Sequence, residues 1–300
     1  MNIDKRNGAV CYCDESHTYW NENDNGKYIS VTTLIHRFTN PFDEEFWSAY
    51  KSLERLIPEE SWKIEKKSLL KTHKIDKELL SIYNITELEF NKAQQDILDE
   101  WDKTNRESCE RGTKIHAQLE NSMYNMGTNV TLKKFGVGGK FVCEKGRTEL
   151  DLENGVYPEY LISRESPDGI MRIAGQIDLL IKQGNDIIVA DYKTNKEIKQ
   201  KSFFDSKTKQ TVKMKYPLNN LDDANYYHYT LQLSTYAWML QQLNPNFVIK
   251  DLIMIHFDHN DNQTIYHLDY LKDDVEKMLK FYKKELLHQK QLEKYQRIEY

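Results

Sequence analysis

The sequence predicts an α/β (α+β) fold in which helices flank a central mixed β-sheet, preceded by an N-terminal hairpin and helical lobe. Three candidate strands follow one another, at 156–164, 170–182 and 186–192, and helical patterns lie before and after them. Two further candidate strands follow the second helical pattern. Such an order is typical of a mixed sheet with helices packed on it. We expect the hairpin and lobe to occupy 1–100 and the core 101–300.

Composition places the chain among globular proteins, with 39% hydrophobic and 30% charged residues in 300. No apolar stretch approaches the roughly 18 to 20 residues of a membrane span, and the first residues do not lead into an apolar signal segment. We expect a cytoplasmic protein with no membrane partner, in the host cytoplasm if it is phage-encoded. The net charge of -5 argues against coating nucleic acid by bulk attraction, but it allows a local basic patch.

The N-terminal third divides into a hairpin and a helical lobe. The segment "HTYWNENDNGKYISVTTLIHRF" (17–38) alternates aromatic and polar residues around an Asn/Asp/Gly turn. This pattern predicts a hairpin that runs into a helix capped near Ser30 to Thr33. From Glu44 to about Ile97 the sequence is rich in Lys and Glu with apolar residues at helical spacing, which predicts the lobe.

The remaining elements follow from periodicity. A long helical pattern carries apolar residues from Ile97 to Met123 and is interrupted by Gly112, and "FGVGGKF" (135–141) is typical of a loop. After the three central strands we expect a helix at 227–243, strands at 251–257 and 264–270, and a closing helix at 273–295.

Two aspartates interrupt the apolar central strands. A hairpin with its turn near Gly184 and Asn185 would bring Asp178 beside Asp191, and strand alternation puts Lys193 on the same face as Asp191. Neighbouring carboxylates repel, which favours a Mg²⁺ or Mn²⁺ ion between them. The lysine can steady an attacking water or a phosphate oxygen. Taken alone, Asp-x-Lys also occurs by chance at ordinary strand ends.

Two helices add polar pairs at helical spacing. His116 and Glu120 are four residues apart, and so are Gln232 and Tyr236. A lone helical histidine is more often a structural residue than a ligand. Here the histidine, Gly-x-x-Asp, Asp-x-Lys and Gln-x-x-x-Tyr occur in order on elements expected to pack together.

This ordered set resembles the PD-(D/E)xK nuclease superfamily. The resemblance is to the branch of RecB-type helicase-nucleases, the mitochondrial genome-maintenance exonuclease and many phage exonucleases. It rests on "GTKIHAQLE" (112–120), "YPEYLI" (157–162), "AGQIDLLI" (174–181), "VADYKT" (189–194) and "LQLSTYAWML" (231–240). The openings "HTYW" and "YISVTTLI" match phage exonucleases more weakly. The resemblance implies a restriction-endonuclease-like core and a metal-dependent phosphodiester hydrolase.

The same resemblance assigns the centre of the site. It implies that Asp178 and Asp191 bind the metal, that the backbone carbonyl of Tyr192 completes the shell, and that Lys193 positions the water. His116 would approach the metal or the scissile phosphate. Glu159 matches an acidic position that holds the metal in some members, and its alternative is a strand-edge charge.

Of three further candidate residues, Glu120 and Tyr236 each keep two interpretations. Glu120 either contacts the residues that bind the metal, without binding it itself, or forms a surface salt bridge. Gln232 would line the site as a catalytic residue. Tyr236 either contacts the DNA backbone or packs in the core.

The cysteines indicate neither a disulfide framework nor a metal cluster. Some relatives hold an iron-sulfur cluster with one cysteine upstream and three near the C-terminus. Here Cys11, Cys13, Cys109 and Cys143 all precede Asp178 and form no Cys-x-x-Cys pair. We therefore expect no iron-sulfur cluster.

A lysine-rich segment follows the Asp-x-Lys strand. Residues 193–217 contain eight lysines among aromatic residues, which suits a path for single-stranded DNA. The candidate nucleic-acid contacts are Lys196, Lys199, Lys201, Lys207 and Lys209. The alternative is an ordinary solvated loop.

The expected function is a DNA exonuclease acting on single strands or free ends. The helical lobe would close over the site as an arch, so that DNA enters by an end. The alternatives are a structure-selective or sequence-selective endonuclease and an inactive DNA-binding or scaffold protein of the same fold. No residue of the sequence excludes an RNA substrate. The expected setting is phage or bacterial DNA replication, recombination or degradation, with proteins of those processes as possible partners.

Overall fold

The computed structural model describes residues 3–4, 8–13, 16–21, 23–76, 78–125, 141–143, 152–205 and 209–298. The chain forms two compact units. The larger contains residues 1–39, 114–202 and 213–300, and the smaller contains 40–113 and 203–212.

A mixed β-sheet is the centre of the larger unit. Its strands are β1 (Ile3–Asp4), β2 (Gly8–Cys13), β3 (Thr18–Asn21), β4 (Lys27–Ser30), β5 (Phe141–Cys143), β6 (Gly155–Glu165), β7 (Arg172–Gln183), β8 (Asp186–Lys193), β11 (Val248–Phe257) and β12 (Gln263–His267). Across the described residues the order is β1-β2-β3-β4-β7-β8-β11-β12, with β5 beside β2 and β6 beside β7. Strands β8 and β11 pair in parallel, while β6, β7 and β8 pair antiparallel. The predicted mixed sheet is confirmed.

The β7–β8 hairpin forms where the sequence predicts it. Its turn contains Gly184, whose φ of +61° is a conformation that glycine adopts without steric cost. The Gly184 N–H donates to the side-chain oxygen of Asn154 at 2.7 Å. This turn sets the register that places the two aspartates.

Helices cover the sheet of the larger unit. They are α1 (Val31–His36), the last part of α5 (Glu87–Asn125), α6 (Asn225–Leu243) and α7 (Lys272–Ile298). Helix α1 begins after Ser30, whose hydroxyl accepts a hydrogen bond from the Thr33 N–H at 3.0 Å, so the predicted cap is confirmed. Helix α6 buries every position from Thr230 to Leu240 except Trp238, as expected for a helix inside the core.

The smaller unit is mainly helical. It contains α2 (Glu44–Leu56), α3 (Glu59–Thr72), α4 (Glu78–Ile82), the first part of α5 and a short hairpin of β9 (Phe204–Asp205) and β10 (Gln210–Thr211). The helices predicted over 44–97 are therefore present. Their core is a cluster of apolar and aromatic residues that includes Phe46, Tyr50, Leu53 and Trp62.

Two local predictions concern Gly112 and residues 135–141. The predicted interruption at Gly112 is wrong, because α5 runs unbroken from Glu87 to Asn125. A glycine inside a helix costs only about 1 kcal/mol relative to alanine, which neighbouring turns and packing offset. Of the predicted loop at 135–141, residues 135–140 lie outside the described residues, and Phe141 begins β5. Among the described helices, none combines the length and apolar character needed to cross a bilayer.

Candidate metal centre and active site

Three acidic residues lie in a row across adjacent strands. The pairs Pro158–Leu179 and Tyr160–Ile177 place Glu159 of β6 opposite Asp178 of β7. On the other edge of β7, Leu179 pairs with Ala190 of β8. The next residue beyond this pair is Asp178 on β7 and Asp191 on β8, so these two aspartates are neighbours. Residues opposite each other in antiparallel strands share a face. The register therefore gathers the carboxylates at one place.

The row lies where β7 and β8 stop pairing. Their described ladder ends at Leu179–Ala190, and β7 pairs with β4 only at Ile173 and Ala174. Between these two partners, residues 175–178 of β7 have no strand on this edge among the parts of the chain that the structure describes. Within this opening the Tyr192 N–H donates to Asp178 Oδ2 at 2.7 Å, so a side chain replaces the missing strand partner.

Asp191 is buried and engaged on both oxygens. Its side chain is 2% exposed, and its Oδ2 lies 2.6 Å from Lys193 Nζ. Its Oδ1 accepts a hydrogen bond from Gln232 Nε2 at 3.2 Å. The approach of Lys193 is an ion pair rather than an aligned hydrogen bond, since Oδ2 has no hydrogen bond of acceptable geometry to any described residue. The predicted shared face of Asp191 and Lys193 is present.

His116 of α5 contacts both the backbone and a carboxylate of the row. Its Nε2 lies 3.1 Å from the Tyr192 carbonyl oxygen, and its Nδ1 lies 3.5 Å from Asp178 Oδ2. Because a carbonyl oxygen only accepts, Nε2 carries the proton. Burial lowers the pKa of His116, which favours the neutral ring. In that ring Nδ1 presents a lone pair to the carboxylate, so a proton or a cation is needed between the two atoms.

A divalent cation fits this arrangement. His116, Glu159 and Asp178 each offer one ligand atom, and these atoms all lie within 4.8 Å of one another. Burial raises the pKa of Asp178 well above its usual value, and the charges of Asp191 and Glu159 raise it further. The pocket thus holds more negative charge than its burial favours, and carboxylate oxygens are ligands that Mg²⁺ and Mn²⁺ prefer. Asp191 lies outside the three-residue cluster, with Lys193 at its Oδ2.

The charge on Lys193 is stabilised by its neighbours. Burial alone would lower the pKa of Lys193, but Asp191 and Asp178 outweigh that effect and the net pKa is raised. The ammonium form is therefore held at neutral pH. A fixed positive charge beside the carboxylate row can act on a phosphate oxygen.

Tyr236 lies in the core. It is 3% exposed, and its hydroxyl accepts from Gln232 Nε2 at 3.3 Å. The sequence allows two interpretations of Tyr236, and the structure shows its ring packed in the core. A contact with nucleic acid would require the ring to reach the surface. A Cβ on Gly175 would lie 2.5 Å from Tyr236 Cε1, so the glycine makes room for the ring. Tyr236 thus supports Gln232, which holds Asp191.

The lysines predicted to contact nucleic acid are exposed where the structure describes them. Lys196, Lys199 and Lys201 are exposed in the larger unit, and Lys199 pairs with Glu197 at 2.8 Å. Lys209 is exposed in the smaller unit, and Lys207 lies outside the described residues. Glu120 is partly buried on α5.

Sequence analysis missed one aromatic residue of the site. Lys193 Nζ lies 4.6 Å from the centre of the Tyr229 ring. Tyr229 precedes Gln232 by three residues, and Tyr236 follows by four, so all three lie on one face of α6. The helical spacing from Gln232 was the signal that could have identified Tyr229.

Two solved structures and a family model are similar to this chain. Among solved structures, a protein from Eubacterium rectale described as a putative exonuclease is 11% identical, with 87% of this chain and 80% of that chain covered and a TM-score of 0.34. The structure of SSO0001 is 16% identical, with 41% of this chain covered and a TM-score of 0.26, and the match spans only 46% of that relative. No curated protein matches the chain. The sequence model of the PD-(D/E)XK nuclease superfamily matches residues 49–298. Since that match takes in most of the sequence, the chain belongs to the PD-(D/E)XK nuclease superfamily.

Proposed function

We propose that this protein is a metal-dependent deoxyribonuclease that acts as an exonuclease on single-stranded DNA or free DNA ends. Membership of the superfamily makes it a nuclease with a nucleic acid substrate. The observation that carries the metal-dependent chemistry is the row of Glu159, Asp178 and Asp191 across three adjacent strands, with Lys193 beside it.

In this proposal Asp178, Glu159 and His116 hold the cation, and Asp191 contributes Oδ2. Mg²⁺ and Mn²⁺ both suit these ligands. When bound, such an ion supplies a water that ionises near neutral pH and a positive charge against the phosphate. Asp178 stays in place because it accepts the Tyr192 N–H, and Gln232 orients Asp191.

Lys193 carries the second part of the chemistry. Its ammonium places positive charge where negative charge grows on the phosphate oxygens, and it donates hydrogen bonds to the attacking water. His116 keeps its Nδ1 lone pair towards the row because Nε2–H is taken by the Tyr192 carbonyl. Together these groups suit hydrolysis of a phosphodiester bond.

The proposed substrate is supported by exposed cations and rings. The side chains of Phe203, Phe204 and Tyr216 are 64%, 55% and 69% exposed, and exposed lysines precede the two phenylalanines. Lysines suit phosphates, and exposed rings suit unpaired bases. The end requirement and the setting in phage or bacterial DNA metabolism are supported by the resemblance of the opening segments to phage exonucleases.

A cleavage time course tests the proposal. Linear single- and double-stranded DNA with 5′ or 3′ labels is incubated with Mg²⁺, Mn²⁺ or EDTA, beside a circular single strand and an RNA of equal sequence. We expect metal-dependent loss of the linear strand while the circle stays intact. Cutting of the circle would identify an endonuclease, and RNA cleavage a wider substrate range.

The matched variants are Asp178→Asn and Asp186→Asn. Asp186 begins the neighbouring strand β8 on the surface, where it pairs with Lys250 at 3.5 Å. Activity is expected to survive only in the second variant. Absence of turnover in the unmodified protein with either metal would leave a DNA-binding protein without nuclease activity.

A further inference from the structure

The ammonium of Lys193 contacts two different partners. Asp191 Oδ2 lies 2.6 Å from Nζ, and the centre of the Tyr229 ring lies 4.6 Å from it. A cation within about 6 Å of an aromatic ring centre is attracted by the ring. The lysine is therefore held by a carboxylate and by a ring.

The ring of Tyr229 is itself fixed. Its hydroxyl donates to Asn195 Oδ1 at 2.6 Å. The backbone carbonyl of Asn195 accepts from Nε2 of His256 at 2.6 Å. His256 is buried and lies opposite Lys193 in the register of β8 and β11. The series of hydrogen bonds from His256 through Asn195 to Tyr229 thus starts on β11, the strand next to that of Lys193.

A second partner for Lys193 has a chemical purpose. In the proposed function Asp191 Oδ2 is also a cation ligand, so an ammonium that depends on Asp191 alone competes with the ion for one oxygen. A lysine has a long flexible stem and loses its direction when its only partner is taken. The tyrosine ring attracts the ammonium without competing for the carboxylate.

We propose that Tyr229 is a positioning residue that keeps the Lys193 ammonium directed at the reaction centre, and that Asn195 and His256 fix the ring. The role of Lys193 in this proposal rests on the proposed function. The contact between Lys193 and Tyr229 does not depend on it and can be measured without catalysis.

The first test uses nuclear magnetic resonance on metal-free protein. Lysines are reductively methylated with ¹³C-formaldehyde and a borane reductant, and the Lys193 signal is identified by its loss in Lys193→Arg. The ring of Tyr229 is expected to shift this signal upfield in the unmodified protein, and by a smaller amount in Tyr229→Phe, which keeps the ring but loses the bond to Asn195. In Tyr229→Leu the signal returns to the range of the other lysines, while Tyr227→Leu, a change at a neighbouring tyrosine of α6, leaves it shifted.

The second test measures single-turnover cleavage and DNA affinity. Because small displacements of a reacting group cost up to about 100-fold in rate, Tyr229→Leu should slow cleavage by about 10- to 100-fold. The DNA dissociation constant should stay unchanged. Tyr229→Phe keeps the ring but loses the hydrogen bond to Asn195. It should therefore recover only part of the lost rate, whereas a space-filling role would make phenylalanine and leucine equivalent.

Several outcomes would overturn the proposal. One is a Tyr229→Leu protein that cleaves like the unmodified one, and another is a Lys193 signal that does not move in that variant. If Tyr229→Leu does not fold, Asn195→Ala replaces it, since Asn195 is exposed. If Asn195→Ala left both the Lys193 signal and the cleavage rate unchanged, Asn195 would not be what fixes the ring of Tyr229. A protein without any nuclease activity would instead refute the proposed function and leave the resonance test in force.

Discussion

Asp178 and Tyr192 are joined by a 2.7 Å hydrogen bond from a backbone N–H to a carboxylate, at the point where their two strands cease to pair. The bond keeps the carboxylate in the opening between β7 and β8. It also satisfies a backbone donor that has lost its strand partner. The geometry of the site is therefore partly made by the backbone.

Replacing Asp178 with asparagine should separate catalysis from folding. An amide oxygen can still accept the Tyr192 N–H, but the negative charge for the cation is lost. We expect cleavage to fall by more than about 100-fold, the scale for losing an electrostatic group at a reaction centre. The melting temperature in EDTA should not fall, because removing a buried charge relieves its repulsion with Asp191 and Glu159. A strongly lowered melting temperature would show that Asp178 is structural.

Metal binding should stabilise the protein more at high pH than at low pH. The pKa of Asp178 is raised in the folded state by burial and then by Asp191 and Glu159. Between the unfolded and folded pKa values the native state binds more protons, so metal-free stability falls as pH rises through that window. A cation binds the ionised carboxylates and offsets that loss.

Thermal melts with Mg²⁺ and with EDTA at pH 5.5 and pH 8 measure this difference. The Mg²⁺-induced rise in melting temperature should be larger at pH 8, and Asp178→Asn should reduce it. An equal rise at both values would mean that the ion binds elsewhere.

Gly175→Ala should disturb the support behind Asp191. The new Cβ would lie 2.5 Å from Tyr236 Cε1, so the ring must move or the strand must shift. Overpacking of this kind costs about 1 to 3 kcal/mol in the free energy of unfolding, and cleavage should fall with it because Tyr236 supports Gln232. Denaturant unfolding and cleavage rates check both effects.

Gly184→Ala is the matched control. Gly184 has φ +61° and no atom within 4 Å of an added Cβ. It should lose about 1 kcal/mol through backbone strain while keeping its cleavage rate. If the two variants lose the same share of activity, general stability rather than the Tyr236 contact explains the effect.

The exposed lysines after β8 should set the salt dependence of DNA binding. Lys199→Gln, Lys201→Gln and Lys209→Gln together should weaken binding at all sequences and lower the salt slope by roughly one for each lost phosphate contact. Titrations at several salt concentrations, with Asp178→Asn in both proteins, provide the measurement. Lys280→Gln, Lys284→Gln and Lys290→Gln on α7 change the net charge equally, and they should leave the slope unchanged. Equal losses of DNA affinity in both sets would show that net charge alone explains the weaker binding.

Strand alternation and one turn were enough to predict that Asp178, Asp191 and Lys193 lie close together. Asp191 and Lys193 share a face because they are two residues apart, and Gly184 fixed the register that brings Asp178 alongside. The surroundings were harder to predict. Helix α6 is buried nearly all round, so periodicity does not tell which side faces the carboxylates. Tyr229 therefore went unnoticed, and the location of Tyr236 was left undecided.

The ion pair of Lys193 and Asp191 gives the folded chain a resident counter-ion. Part of the negative charge of the pocket is therefore neutralised by a side chain of the protein itself. The abundance of divalent ions would then govern how fast the enzyme works, whereas assembly of its architecture would proceed in their absence.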